Sequence, residues 1–206
     1  MENENELQAA KPILTKKKNT TKERQGVLSY LHDLVCLVAG VVLLFSLCFR
    51  VVVVSGPSMN DTLVDGDWLL LAGTIFYGNP QHGDVIVASK DSFDDGKPII
   101  KRVIALEGQT VDIDFVQGIV YVDGIALSEP YISSPTIIDE GMQFPLVVSE
   151  GCVFVMGDNR ANSKDSRSTQ IGLIDKREIL GKAIFLFVPG NNGGLSKRDF
   201  SRIGGI

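Results

Sequence analysis

The segment from Val27 to Phe49, VLSYLHDLVCLVAGVVLLFSLCF, constrains this chain more than any other. It is apolar on every side and carries one formal charge, Asp33; its charge-free core runs from Leu34 to Phe49. At about 1.5 Å per residue, a helix of this length covers the roughly 30 Å hydrocarbon layer of a bilayer with room for tilt. Tyr30 and His32 suit the interface at one end, and Arg50 can snorkel at the other. A helix in a soluble core is disfavoured by the length and the all-round apolarity. A cleavable signal peptide has a shorter apolar stretch and an A-x-A-like site after it, which is missing here. The reading taken is a permanent anchor over residues 27–49.

Residues 1–26 are polar, with few side chains to bury, and are expected to be a disordered segment. They hold six Lys/Arg against four Glu, so the rest of the chain is net acidic within an overall charge of −5. The cluster Lys16-Lys17-Lys18 with Arg24, just before the apolar segment, places the N-terminus in the cytoplasm and everything after it outside. The acidic balance argues against a nucleic-acid partner. Three cysteines with no CxxC or Cys/His spacing predict neither a zinc site nor a disulfide framework. The fold must be held by its core.

After Arg50, short β-favouring runs alternate with turn signals such as VDGD, YGNP, DDGK, EGQ, VDG and SEG. Strands are expected at Phe49–Val54, Asp67–Ala72, Asp84–Ala88, Pro98–Leu106, Gln109–Ile113, Ile119–Val122, Cys152–Met156 and Lys182–Val188. The pattern predicts a mostly β domain over 50–190, a folded-over antiparallel sheet or partly open barrel. One short helical turn is expected around Asp175–Leu180. Ser128–Val148 reads as an irregular excursion, and 191–206 as a tail.

Three stretches carry the chemistry. SGPSMNDTL (Ser55–Leu63) sets hydroxyls on a turn straight after the anchor. A nucleophile there needs a base. Of the two histidines, His32 lies at the membrane edge and His82 in the polar turn GNPQHGD, where it is most simply a solvated residue. The other solution is a lysine whose proton affinity has been lowered by burial. PIIKRVIAL supplies one: Lys101 sits among Ile and Val, and alternation sends Lys101 and Arg102 to opposite faces. An edge strand with two exposed cations remains open on the residues alone. MGDNRANSKDSRS (Met156–Ser168) alternates acids with arginines. It is either a hydrophilic loop or one fixed by charge-assisted pairs that could hold a hydroxyl against the lysine.

At these residues the sequence resembles type I signal peptidases, the membrane-bound Ser-Lys proteases, in the single-anchor form common in Gram-positive bacteria. SGPSMNDTL, GDVIVA, IIKRVIALEGQTV, VDGIALSEPY, GDNRANSKDSR and ILGKAIFLFVP occur in the family's order, covering about Arg50 to Pro189. The resemblance implies Ser58 as nucleophile, Lys101 as general base and Ser163 as the hydroxyl orienting the lysine amine. It implies Asp165 with Arg167, and Asp158 with Arg160, as supporting polar residues. Gly56 stands where the family often has a serine that adds an oxyanion donor, Asp61 replaces a proline, and ALEGQ (Ala105–Gln109) departs from the usual turn. Met59, Asp84, Val85, Ile86 and Val87 are expected to border pockets for small side chains. The substrates implied are signal peptides of exported preproteins, cut after Ala-X-Ala-like residues by a monomer at the plasma membrane, in contact with lipid and with no metal or cofactor. A self-cleaving repressor of related fold would carry a DNA-binding helix-turn-helix where this chain has its anchor. A non-enzymatic surface domain would not need both Ser58 and Lys101.

Overall fold

The computed structural model describes residues 28–90, 93–191 and 198–206. Residues 1–26, expected to be a disordered cytoplasmic segment, lie outside the described residues. The chain divides after Leu47. Helix α1 (Leu28–Cys48) is 21 residues, long and apolar enough to cross a membrane. Its Leu, Val and Phe side chains are exposed, which separates it from a core helix, whose apolar face would be covered.

The second unit, Cys48–Ile206, is built almost wholly of antiparallel strands. They are β1 (Phe49–Val53), β2 (Trp68–Gly73), β3 (Val85–Ala88), β4 (Ile99–Leu106), β5 (Thr110–Asp114), β6 (Ile119–Val122), β7 (Ile125–Ala126), β8 (Leu146–Val147), β9 (Cys152–Met156), β10 (Ile174–Asp175), β11 (Ile179–Val188) and β12 (Gly204–Gly205). A single helical turn, α2 (Thr74–Tyr77), follows β2. The larger sheet runs β1-β2-β11-β3-β4-β9-β10, with β12 beside β11, and curls into a half-barrel; the smaller runs β7-β6-β5-β8. The mostly β, folded-over architecture expected from the alternation is present. All eight expected strands form, within a few residues of their expected ends, save that β11 starts at Ile179 rather than Lys182. The helical hint over 175–180 is one tight turn, Lys176–Glu178, closed by a capping box between Asp175 and Glu178. The chain then re-enters the sheet, because Ile179 is buried and pairs with Ala88.

Strand β4 is the hub. Ile100 packs into a cluster with Val54, Met59, Leu63, Leu69 and Leu71. Val103 joins a second with Ile86, Val153, Ile174 and Ile179. Ile104 joins a third under the small sheet with Val111, Val120, Phe154 and Met156. A register shift between Val103 and Ala105 in the β4–β9 ladder lets neighbouring residues serve different clusters. A strand buried on several sides leaves its side chains little access to water. Lys101 is on this strand.

Candidate active site

Ser58 lies in the loop between β1 and β2. The loop is pinched at its base, where the Val54 N–H donates to the Asp67 carbonyl and the Gly66 N–H to the Val54 carbonyl, at 2.8 and 2.9 Å. Met59 and Leu63 plug it into the core. Gly56 has φ of +89°, a conformation costly for any residue with a Cβ, and its N–H donates to Asp65 Oδ1 at 2.8 Å. The Ser58 carbonyl accepts from the Asn159 N–H at 3.0 Å, and the Asn159 amide reaches the Pro57 carbonyl at 3.1 Å. Among the described residues the Ser58 N–H makes no hydrogen bond.

Lys101, 5% exposed, brings its Nζ to 2.8 Å from Ser58 Oγ across 43 residues of sequence and donates to the Ile100 carbonyl at 3.0 Å. Burial strips water from the ammonium and pulls its pKa from 10.5 to about 8, against the upward pull of Asp165, Glu140 and Asp158. Neither an exposed edge nor a salt bridge holds this lysine, so the neutral amine is within reach at ordinary pH.

In the polar loop Met156–Ser168 the charged residues Asp158, Arg160, Asp165 and Arg167 are buried and paired, while Ala161, Asn162 and Lys164 are exposed. Asp165 grips Arg167 through two bonds of 2.9 Å, and its Oδ2 also accepts from the Gly157 N–H at 3.0 Å. Three arginine–carboxylate pairs reach outside the loop, one of them Arg167 with Glu140 at 3.5 Å. Asp158 takes Arg102 of β4 in a bidentate pair, 2.8 and 2.6 Å, and accepts from the Thr62 hydroxyl of the loop that carries Ser58. Arg160 takes Glu129 and Thr136 of the irregular excursion and caps the Gly157 carbonyl. The guanidinium of Arg102 also lies 4.2 Å over the ring of Tyr131. Alternation placed Lys101 and Arg102 correctly on opposite faces, but gave no sign that Arg102 would be the partner of Asp158.

Ser163 joins the network of Asp165. Its Oγ donates to Asp165 Oδ2 at 2.9 Å and makes no hydrogen bond to Lys101 among the described residues. The hydroxyl spends its one proton on the carboxylate and keeps its lone pairs for a donor. Gly157, missed in sequence, explains how these groups come together. A Cβ there would strike Ser163 Oγ and the Ser58 carbonyl oxygen, so only glycine lets the two loops close on each other.

A cleft of about 350 Å³ opens beside Ser58, lined by Val52–Ser55, Met59 and Lys97–Lys101. Of the residues expected to border it, Met59 does. Val85 and Val87 are buried in the first core cluster and Ile86 in another, opposite Lys101 in the β3–β4 register. Asp84 is held by Tyr77, Lys182 and the Gln81 N–H instead. Their apolarity belongs to a central strand covered on both faces. The outer edge of β1, by contrast, has no strand beside it among the described residues. No group of three or more His, Cys, Asp or Glu that could hold a metal occurs among the described residues.

Residues 27–188 match the family described as "Signal peptidase, peptidase S26". Signal peptidase I of Bacillus licheniformis is 33% identical over 186 residues, 86% of this chain and 97% of that protein. Probable signal peptidase I-1 of a Synechocystis strain is 41% identical over 149 residues, 68% of this chain and 72% of that protein. The crystal structure of a signal peptidase I from Enterococcus faecalis V583 aligns with 52% of this chain and 97% of its own, at 30% identity and a TM-score of 0.42.

Proposed function

Because the chain belongs to the signal peptidase S26 family, whose members cleave signal peptides, we propose that Ser58 is its nucleophile and Lys101 its general base. The observation that carries this reading is the 2.8 Å approach of a buried lysine amine to a serine hydroxyl at the mouth of an open cleft. A neutral Lys101 accepts the Ser58 proton as Oγ attacks the scissile carbonyl. The resulting ammonium then protonates the leaving amine. In the second half, Lys101 takes a proton from water, which attacks the acyl-Ser58 ester and frees the signal peptide's new carboxyl end. The uncommitted Ser58 N–H is the oxyanion donor. Gly56 has no side chain to add a second, and its own N–H is given to Asp65.

The substrate enters extended, its backbone adding to the outer edge of β1, beside which no described strand lies, and its small Ala-X-Ala-like side chains turned into the cleft between β1 and the start of β4. Asp165, Arg167, Asp158 and Arg160 act on the reaction through Gly157, Arg102 and Thr62. Ser163 acts through Asp165. Helix α1 anchors a monomer in the plasma membrane, N-terminus in the cytoplasm and β domain outside, where cleavage sites emerge and tethering raises the local concentration of both partners.

Cleavage of a purified preprotein by Ser58→Ala and Lys101→Ala tests the assignment. Both should lose about a thousandfold or more of kcat, the scale of a removed base and nucleophile. An active Lys101→Ala with an inactive His82→Ala would overturn it.

A further inference from the structure

The nucleophile loop is held from a direction that the family resemblance does not cover. The match to the family ends at residue 188, yet Arg202 reaches back 135 residues to Asp67 at the base of that loop. Its Nη1 donates to Asp67 Oδ1 at 3.0 Å, and its Nη2 to Asp67 Oδ2 at 2.7 Å and to the Thr62 carbonyl at 3.2 Å. Asp67 is fully buried and also accepts from the backbone N–H groups of Val64 and Gly190. Two devices carry Arg202 to this position. Asp199 caps the turn Phe200–Arg202 by accepting from the Ser201 N–H, and Gly204–Gly205 then pair as β12 with Leu186 and Phe185 of β11. The contacts do not stop at the loop's base. The Thr62 hydroxyl donates to Asp158, and Asp158 holds Arg102, the residue after the base Lys101.

We propose that Arg202 is a positioning residue for Ser58: the segment Asp199–Gly205 is a clasp that fixes the nucleophile loop against the strand carrying Lys101. This rests on the reading of Ser58 and Lys101 as the reacting pair. The physical argument is that the loop, though plugged by Met59 and Leu63 and tied to Asn159 and Asp158, is closed at its base by backbone bonds alone and can rock there without a further tie. A bidentate guanidinium that binds two points of the loop, Thr62 and Asp67, removes that motion at little conformational cost. Small displacements of a nucleophile are expensive in rate and cheap in substrate affinity. Among the described residues the clasp makes no hydrogen bond or ion pair to the cleft lining or to the outer edge of β1, so it bears on turnover rather than on binding.

The test is steady-state cleavage of a purified preprotein by the full chain carrying Arg202→Ala, Arg202→Lys or Ser58→Ala, assayed well below each variant's Tm. Arg202→Ala should lower kcat about ten- to a hundredfold with KM within about twofold. Arg202→Lys, which keeps the charge and one contact, should fall between it and wild type. Millimolar ethylguanidinium should restore part of the Arg202→Ala rate and leave the wild type unchanged. A kcat equal to wild type in Arg202→Ala, with or without a lower Tm, overturns the proposal, as does a loss that appears in KM alone. If Arg202→Ala does not fold, Arg202→Lys decides: wild-type kcat overturns, and a reduced kcat at constant KM supports. An active Ser58→Ala would instead remove the reading beneath it.

Discussion

Two Asp-x-Arg pairs occur ten residues apart, and their geometry is nearly the same. Asp165 accepts from Nε and Nη2 of Arg167 at 2.9 and 2.9 Å; Asp175 accepts from Nε and Nη2 of Arg177 at 2.9 and 2.6 Å. In each, the arginine's own N–H also donates to the aspartate. The surroundings differ completely. The side chains of Asp165 and Arg167 are both 0% exposed, whereas Asp175 is 29% and Arg177 90% exposed. Hydrogen-bond geometry therefore says little about what a pair contributes. A buried pair must stay intact because either half alone would be a charge without water. An exposed one trades with solvent at almost no cost. The buried pair is also connected: the same carboxylate holds Ser163 and the Gly157 N–H, and Gly157 is the point where the polar loop meets the carbonyl of Ser58. The exposed pair finishes a tight turn and holds nothing else of the site.

The largest effect should come from breaking the buried pair. Arg167→Ala leaves Asp165 without its cation, a loss of about 3–5 kcal/mol of folding stability. Denaturant unfolding measures it, and a loss below about 1 kcal/mol would mean that the loop relaxes to let water in. Arg167 also lowers the proton affinity of Lys101, while Asp165 and Glu140 raise it. In any fraction that folds, the acid limb of the pH–rate profile should move to higher pH.

Lys101 sharpens the contrast, because it is a buried cation with no bonded carboxylate at all. Its folded pKa of about 8 lies below the ordinary 10.5, so the unfolded chain holds the proton more tightly. The lysine therefore costs stability below about pH 8, and the cost fades as pH rises towards 10.5. Lys101→Met should stabilise the fold at neutral pH by on the order of 3 kcal/mol, with the gain gone above about pH 10.5, while abolishing cleavage. A wild-type kcat/KM that falls tenfold for each pH unit below about 8 is the catalytic face of the same shift. A flat rate from pH 8 to 6 would show that Lys101 is not the base. A neutral or destabilising Lys101→Met would show that its burial costs little.

How much of this was legible in the sequence follows from the range of each interaction. Strands with four or more alternating residues announced themselves, and so did a lysine set between Ile100 and Val103. The pairs β7, β8, β10 and β12 are two residues long, too short for any period, and exist only because a neighbour's edge is available. Asp158 with Arg102, Arg160 with Glu129, and Asp67 with Arg202 join residues 56, 31 and 135 apart, and no local pattern records such distances. The two Asp-x-Arg motifs look alike in sequence because burial, which separates them, is a property of the packed chain. Val85, Ile86 and Val87 illustrate the same limit from the other side. Apolar runs mark what is covered, and cannot say whether substrate or core does the covering.

The exposed pair yields the smallest expected effect and the most direct control. Asp175 has its pKa pulled down to about 2, chiefly by the Arg177 side chain, so the two groups do interact. Yet Arg177 is open to water, which screens the attraction and solvates the aspartate when the arginine is gone. The turn also survives the substitution. The cap is made by the Asp175 carboxylate and the backbone N–H of residue 177, and the capping box by Glu178, none of which needs the guanidinium. Arg177→Ala should leave both Tm at physiological salt and kcat/KM indistinguishable from wild type, while Arg167→Ala, which removes a pair of the same geometry, unfolds far more readily. A Tm loss of several degrees in Arg177→Ala would mean that geometry, rather than burial, sets the strength of these pairs.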